Sequence, residues 1–266
     1  MTAQTDNAPV LLDISEGIAT IRFNRPDSLN AVDVEMACLF RDLVAQVVAN
    51  SAVRVIVLAG NGRAFVAGGD LGYFRSAGEN APQAARELIA PMHAAVELLI
   101  NAPQPVIGSL HGAVAGAGMS LAAAVDLAIA ADNAIFNLAY IKIGNSPDCG
   151  ASWTLPRVLG LRKAMEIALL AEAIDANEAH RIGLVNRVVP LDKLAEETAK
   201  IASKLAKSAP AGIASTKRLL NAGFQNSLHQ QLGHEADSFA SNAGTHDFRE
   251  ALDAFFEKRK PEFQGR

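Results

Sequence analysis

Two stretches of small residues carry the clearest chemical potential in this chain: AFVAGGDL at 64–71 and HGAVAGAGMSLA at 111–122, each following an apolar run. Small side chains leave peptide N–H groups accessible. A helix starting inside the second stretch would add unpaired amides and the positive end of its dipole. Two such donors aimed at one point stabilise a carbonyl oxygen that is gaining negative charge. The same composition also suits a plain packing turn, and neither stretch matches a phosphate loop or a dinucleotide fingerprint. Acid–base work needs a side chain as well. Asp148, in SPDCGASWTLPR, is available as a carboxylate base, and equally as a turn or N-cap residue ahead of a helix. The two cysteines, Cys38 and Cys149, lack the His or Cys neighbours of a metal cage or a disulfide framework. No metal site is expected, and Cys149 reads as a small packing residue.

The elements that would position these residues follow an α/β pattern. Residues 10–23 alternate apolar and polar around Glu16-Gly17, the mark of a hairpin. Asp33 is an N-cap candidate for an amphipathic helix to about Asn50, and RVIVLAG at 54–60 reads as a short buried strand. A helix is expected near 82–100, with the segment 72–90 otherwise unassigned. PVIGSLHGAVAG at 105–116 begins as a strand and ends in glycines before a small-residue helix. Short strands are expected between Val125 and Leu138. Pro147, Gly150 and Pro156 then punctuate loops and a helix start, and helical spacing dominates the remainder.

Composition narrows the function classes. In 266 residues, half hydrophobic and a fifth charged, no apolar run approaches the roughly 20 residues of a membrane span. The N-terminal MTAQTDNAP has neither the apolar core of a signal peptide nor the arginines of a transit peptide, so a cytoplasmic location without membrane insertion is expected. A formal charge of −4 argues against nucleic acid as a partner, because phosphate binding needs clustered Lys and Arg.

Six segments in order, NRPDSLNA, AFVAGGDL, PVIGSLHGAVAGAG, SPDCGASWTLPRVLG, AHRIGLVNRVV and AFFEKRKPEF, resemble the successive signatures of the crotonase (enoyl-CoA hydratase/isomerase) superfamily, over nearly the whole chain. The resemblance implies an α/β, ClpP-like spiral of strand–strand–helix repeats over residues 1–200, binding coenzyme A and carrying the chemistry. A helical trimerisation region over 201–266 would follow, with a homotrimer or hexamer as the assembly. It implies an acyl-CoA substrate, coenzyme A being part of that substrate and no separate cofactor being required. By position, the oxyanion amides are those of Gly69 and Ala117. Contacts to coenzyme A come from Arg25, Ala67, Asp70 and Leu71, and from Phe255 and Lys258 at the C-terminal end.

The resemblance also sets which acid or base to expect. Hydratases of the superfamily place one Glu three residues beyond the second oxyanion residue and another just after the strand near 136–140; Ser120 and Tyr140 stand there in this chain. Neither is a carboxylate base, which disfavours a two-Glu hydratase. Asp148 instead matches ring 1,2-epoxyphenylacetyl-CoA isomerases and dienoyl-CoA isomerases, where one carboxylate moves a proton along a conjugated acyl group. Ser120 and Tyr140 are expected to line the acyl pocket or hydrogen-bond Asp148. Three rivals remain: a hydratase with other acid/base groups, a 4-chlorobenzoyl-CoA dehalogenase-like hydrolase in which Asp148 is the nucleophile and His93 activates water, and a non-catalytic or RNA-binding member. Gly69 stands where that dehalogenase has Phe, and His93 otherwise reads as a residue on a helix face; His111 reads as structural.

Overall fold

Val10–Ser15 (β1) and Ile18–Phe23 (β2) form the expected antiparallel hairpin, with Glu16 and Gly17 both at positive φ in its turn. The computed structural model describes residues 7–266. Val34–Ala49 (α1) follows, its first turn capped by the Asp33 carboxylate, which accepts from the Met36 N–H at 2.9 Å. Met36, Phe40, Leu43, Val44 and Val47, spaced along one helical face, are buried.

Three repeats then succeed one another. Val55–Gly60 (β3) and Ala64–Val66 (β4) lead to Leu71–Ala77 (α2) and Ala81–Asn101 (α3). Val106–Leu110 (β5) and Ala113–Ala115 (β6) lead to Ala117–Ala124 (α4). Leu127–Ala131 (β7) and Ile135–Asn137 (β8) lead through a long loop to Ala151–Leu159 (α5). The first strand of each repeat joins one sheet and the second joins another, the repeat strands pairing in parallel within each, so the chain advances as a spiral of strand, strand and helix. Leu161–Leu170 (α6), Ile174–Asp175 (β9), Ala176–Arg181 (α7) and Arg187–Val189 (β10) complete the strand-bearing part. The sheet orders are β1-β2-β3-β5-β7-β10 and β4-β6-β8-β9.

Leu194–Ala206 (α8) straddles residue 200, where the change to a helical region was expected. It covers the outer face of the large sheet, with Leu194, Ala202 and Ala206 against Val55, Val57, Ile107 and Ile129. Burial on both faces explains why β3, β5 and β7 read as continuous apolar runs. Pro210–Ala222 (α9), Leu228–Ala243 (α10) and His246–Glu257 (α11) close the chain. Among the described residues no helix is long and apolar enough to cross a membrane.

The loop 24–33 is fastened by one side chain. Asn30, fully buried, accepts the Arg25 N–H at 2.7 Å and donates its amide to the carbonyls of Asn61, Ala64 and Phe65 at 2.8–3.0 Å. It sits at φ +57, a conformation Asn tolerates better than most residues. The loop in turn grips the strand that runs into the first Gly-rich turn: Ala67 N–H donates to Leu29 and Val32 N–H to Gly68. Asn30→Ala would leave these buried groups unpaired and is expected to cost on the order of 3 kcal/mol. At roughly 2–4 °C per kcal/mol for a chain of this size, differential scanning calorimetry should register a fall in Tm of about 6–12 °C.

Candidate active site

β4, β6 and β8 lie side by side and parallel, so the loops leaving their C-terminal ends meet on one side of the small sheet. Gly68-Gly69-Asp70 leaves β4, and Gly116-Ala117 leaves β6. On the first loop, Val32 accepts from the Asp70 N–H and donates to the Gly68 carbonyl, each at 2.8 Å. Strand alternation turns the Gly69 N–H to the opposite edge. On the second, Gly116 donates its own N–H to Asn137 of β8 at 2.9 Å and, at φ +49 and ψ −119, redirects the chain into α4 with no side-chain cap. Neither the Gly69 nor the Ala117 amide has a hydrogen-bond partner among the described residues.

The two turns touch. A Cβ on Gly116 would lie 3.3 Å from the Gly68 Cα, and one on Gly118 would lie 2.0 Å from the Val66 carbonyl oxygen, so only glycine lets the first turn of α4 settle on β4.

The loop after β8 brings Tyr140 and Asp148. The Tyr140 hydroxyl donates to an Asp148 carboxylate oxygen and lies 3.1 Å from the Ser120 hydroxyl, itself 3.2 Å from the Gly116 carbonyl oxygen. Tyr140 therefore bonds Asp148 directly, whereas Ser120 bonds the Gly116 carbonyl and reaches Asp148 only through its contact with Tyr140. Burial, and then the Asp148 charge, push the Tyr140 phenol far above its ordinary range, so it stays an O–H donor. The Cys149 thiol, buried beside the same carboxylate, is pushed well up as well and remains protonated.

Asp148 opens onto a cleft of about 830 Å³ between α3, the start of α5, and α9. Val96, Ile100, Pro147 and Trp153 supply its apolar walls, and Lys217 and Asn221 stand on α9. Lys217 was not singled out from sequence. It is held at 2.8 Å by Asp126 and donates to the Leu99 and Gln104 carbonyls, anchoring α9 to the core. A second unforeseen anchor is Arg157, which lies 3.8 Å over the Trp153 ring and 5.6 Å from that of Phe224. The Trp153, Arg157 spacing of four on α5 was the available signal.

Arg25, Ala67, Asp70 and Leu71 gather around Gly69. Arg25 pairs with Asp33 at 3.1 Å and Asp70 at 3.2 Å and also donates to the Ala31 carbonyl. Asp70 caps α2 by accepting from Gly72 and Tyr73. Both thus hold the Gly69 turn. Leu71 remains more than half exposed, and the Ala67 N–H is used by Leu29. Phe255 and Lys258 end α11, both exposed, and no hydrogen bond or ion pair joins either to Gly69, Ala117 or Asp148 among the described residues. His93 lines the cleft, its Nε2 3.1 Å from the Cys149 N–H. His111, by contrast, contacts the Gly62 carbonyl at 3.0 Å as a structural residue.

Comparison with known proteins agrees with this architecture. The family profile described as enoyl-CoA hydratase/isomerase matches residues 13–266. A Rhodobacter capsulatus protein named a probable enoyl-CoA hydratase is 40% identical over 96% of this chain and 97% of its own length. The 1,2-epoxyphenylacetyl-CoA isomerase of Escherichia coli is 36% identical over 97% of this chain and 98% of its own. The crystal structure of an enoyl-CoA hydratase from a Polaromonas species superposes with a TM-score of 0.91 at 33% identity, covering 96% of this chain and 99% of that one. The architecture and the matching length together place the chain in the enoyl-CoA hydratase/isomerase family.

Proposed function

We propose that this chain is an acyl-CoA isomerase in which Asp148 moves a proton along a conjugated acyl group while the Gly69 and Ala117 amides hold the thioester oxygen. The observation that carries this reading is the hydrogen-bonded line from Gly116 through Ser120 and Tyr140 to Asp148. Hydroxyls stand at the two positions where the family's hydratases carry Glu, and the Tyr140 hydroxyl, next to that of Ser120, donates to a single carboxylate.

In the proposed cycle the Asp148 carboxylate removes a proton from a carbon conjugated to the thioester. The electron pair passes to the carbonyl oxygen, giving an enolate that accepts from the two backbone N–H groups. Each such donor contributes about 3–4 kcal/mol in a water-poor site. The carboxylic acid then returns the proton at a different carbon, and the double bond has moved with no net change of atoms. Tyr140 keeps the carboxylate aimed throughout. The coenzyme A part enters with the substrate, and Arg25, Ala67, Asp70 and Leu71 are the contacts proposed for it; Phe255 and Lys258 would act from the opposite side or from another copy.

A hydratase using other acid/base groups is the second reading, favoured by the names that most of the relatives carry. The dehalogenase-like reading is weaker, because the His93 Nε2 already accepts an N–H and the proton of the neutral ring is then on Nδ1, leaving no free basic nitrogen for water.

Incubating the protein with a 3-enoyl-CoA, a 2-enoyl-CoA and 4-chlorobenzoyl-CoA in heavy water, followed by mass spectrometry, separates these chemistries. Double-bond migration with deuterium uptake is expected, whereas hydration or chloride release would replace the isomerase reading. Asp148→Asn should lower isomerase kcat by about 10²–10⁴-fold, the range of a lost general base; turnover near the wild-type level would exclude Asp148 from that role.

Ala117→Pro tests the other half of the site. Proline is accepted at the first position of a helix, so α4 should persist in circular dichroism while the N–H donor is lost. A fall in kcat of about 10²–10³-fold with acyl-CoA still bound is expected, and an unchanged kcat would remove Ala117 from the oxyanion site.

A further inference from the structure

We propose that His93 is a positioning residue for Asp148, acting through the peptide group that joins Asp148 to Cys149. This rests on the reading of Asp148 as the base, and it adds to that reading a residue on a different helix that sets where the base points. The Asp148–Cys149 peptide is held at both ends: its N–H donates to the His93 Nε2 at 3.1 Å, and its carbonyl accepts from the Ala151 N–H at 3.1 Å.

The need for such a hold is visible in the backbone. Cys149 stands at φ +50 and Gly150 at φ +79, two successive left-handed residues immediately before α5. Glycine accepts this freely, but cysteine meets its own Cβ against the following carbonyl, so the turn relaxes unless its surroundings fix it. α3 supplies those surroundings. His93 contributes the acceptor, and Val96, three residues further along the same helix, packs beneath Gly150, where an added Cβ would be 3.4 Å from a Val96 methyl carbon. Relaxation of the Cys149 turn would change the backbone dihedrals on both sides of this peptide and shift Asp148 relative to Tyr140, whose hydroxyl bonds its carboxylate.

The hydrogen bond also assigns the ring. A peptide N–H can only donate, so Nε2 must present its lone pair and the neutral ring carries its proton on Nδ1. What matters at this position is therefore an acceptor, which a glutamine carbonyl oxygen can replace and a leucine cannot.

The test compares the full-length wild type with His93→Leu, His93→Gln and Asp148→Asn, using a 3-enoyl-CoA for turnover and hydrogen–deuterium exchange mass spectrometry on the peptide spanning residues 147–151. His93→Leu should lower kcat by about 10–100-fold, as expected for a misplaced base, with KM within about twofold of wild type. His93→Gln should return kcat to within about threefold. Exchange should accelerate in the Leu variant and stay near wild type in the Gln variant, a readout that holds whatever the substrate. If His93→Leu matched wild type in exchange and turnover, the inference would fall while the base reading survived, provided Asp148→Asn remained inactive. If Gln were as impaired as Leu, the ring would be acting directly and the positioning role would be wrong. An active Asp148→Asn would remove the base reading, and this inference with it.

Discussion

The parallel alignment of β4, β6 and β8 is the constraint from which the site follows. Neighbouring strands in a sheet lie only about 4.8 Å apart, so three loops leaving their C-terminal ends cannot avoid one another. The chain uses this crowding to bring together two unpaired amides from the first two loops and a carboxylate from the third. The hydrogen bond from Gly116 to Asn137 extends the β6–β8 ladder by one residue, and the next amide, that of Ala117, is the first left over. Register thus decides which N–H is free.

Such proximity requires small residues, and these have consequences for packing. α4 is buried along nearly its whole length, its first turn seated on β4 through Gly118. A helix this short and poor in large side chains is stabilised by tertiary contact more than by its own propensity. Its N-terminus carries no side-chain cap and leaves the Ala117 amide unpaired among the described residues, where the proposed reading would put a charged oxygen. The stiffness comes from elsewhere, through the buried Asn30 network under the Gly69 turn and the aromatic contacts of Phe23 with Phe40 at 5.0 Å and Phe65 at 5.6 Å.

How much of this could be read from the sequence depended on whether a signal is local. The Asp33 cap, the Glu16-Gly17 turn and the apolar runs of β3 and β5 are local signals, and the structure matches them. The Gly-rich turns were legible as candidate amide donors but stayed ambiguous with packing turns, because composition does not reveal which N–H lacks a partner. β4, β9 and β10, of two or three residues each, are too short for periodicity to detect. The contact between His93 and Cys149 spans 56 residues and depends on α3 lying beneath the start of α5, so nothing in either segment announces it. Lys217 illustrates the same limit: an ordinary helical lysine in sequence becomes a largely buried ion-pair partner once α9 folds back. Burial lowers its pKa, with Asp126 opposing the shift.

A division of labour follows from these origins. Under the proposed reading, oxyanion stabilisation would belong to backbone amides whose positions are set by strand register, so it would persist through changes of side chain that leave the glycines and the register in place. On that reading, direction of the proton would belong to side chains on the third loop, which is long, carries three residues at positive φ (Gly144, Cys149 and Gly150) and is steadied from α3, α4 and Tyr140. In this chain the Tyr140 hydroxyl, itself beside Ser120, bonds one carboxylate, and a single carboxylate can both take and return a proton. Adding water would need a further group to hold and deprotonate it, and of the neighbours of Asp148, Tyr140 is pushed far above its ordinary range and Cys149 is buried and protonated, which is why the isomerase is the reading proposed.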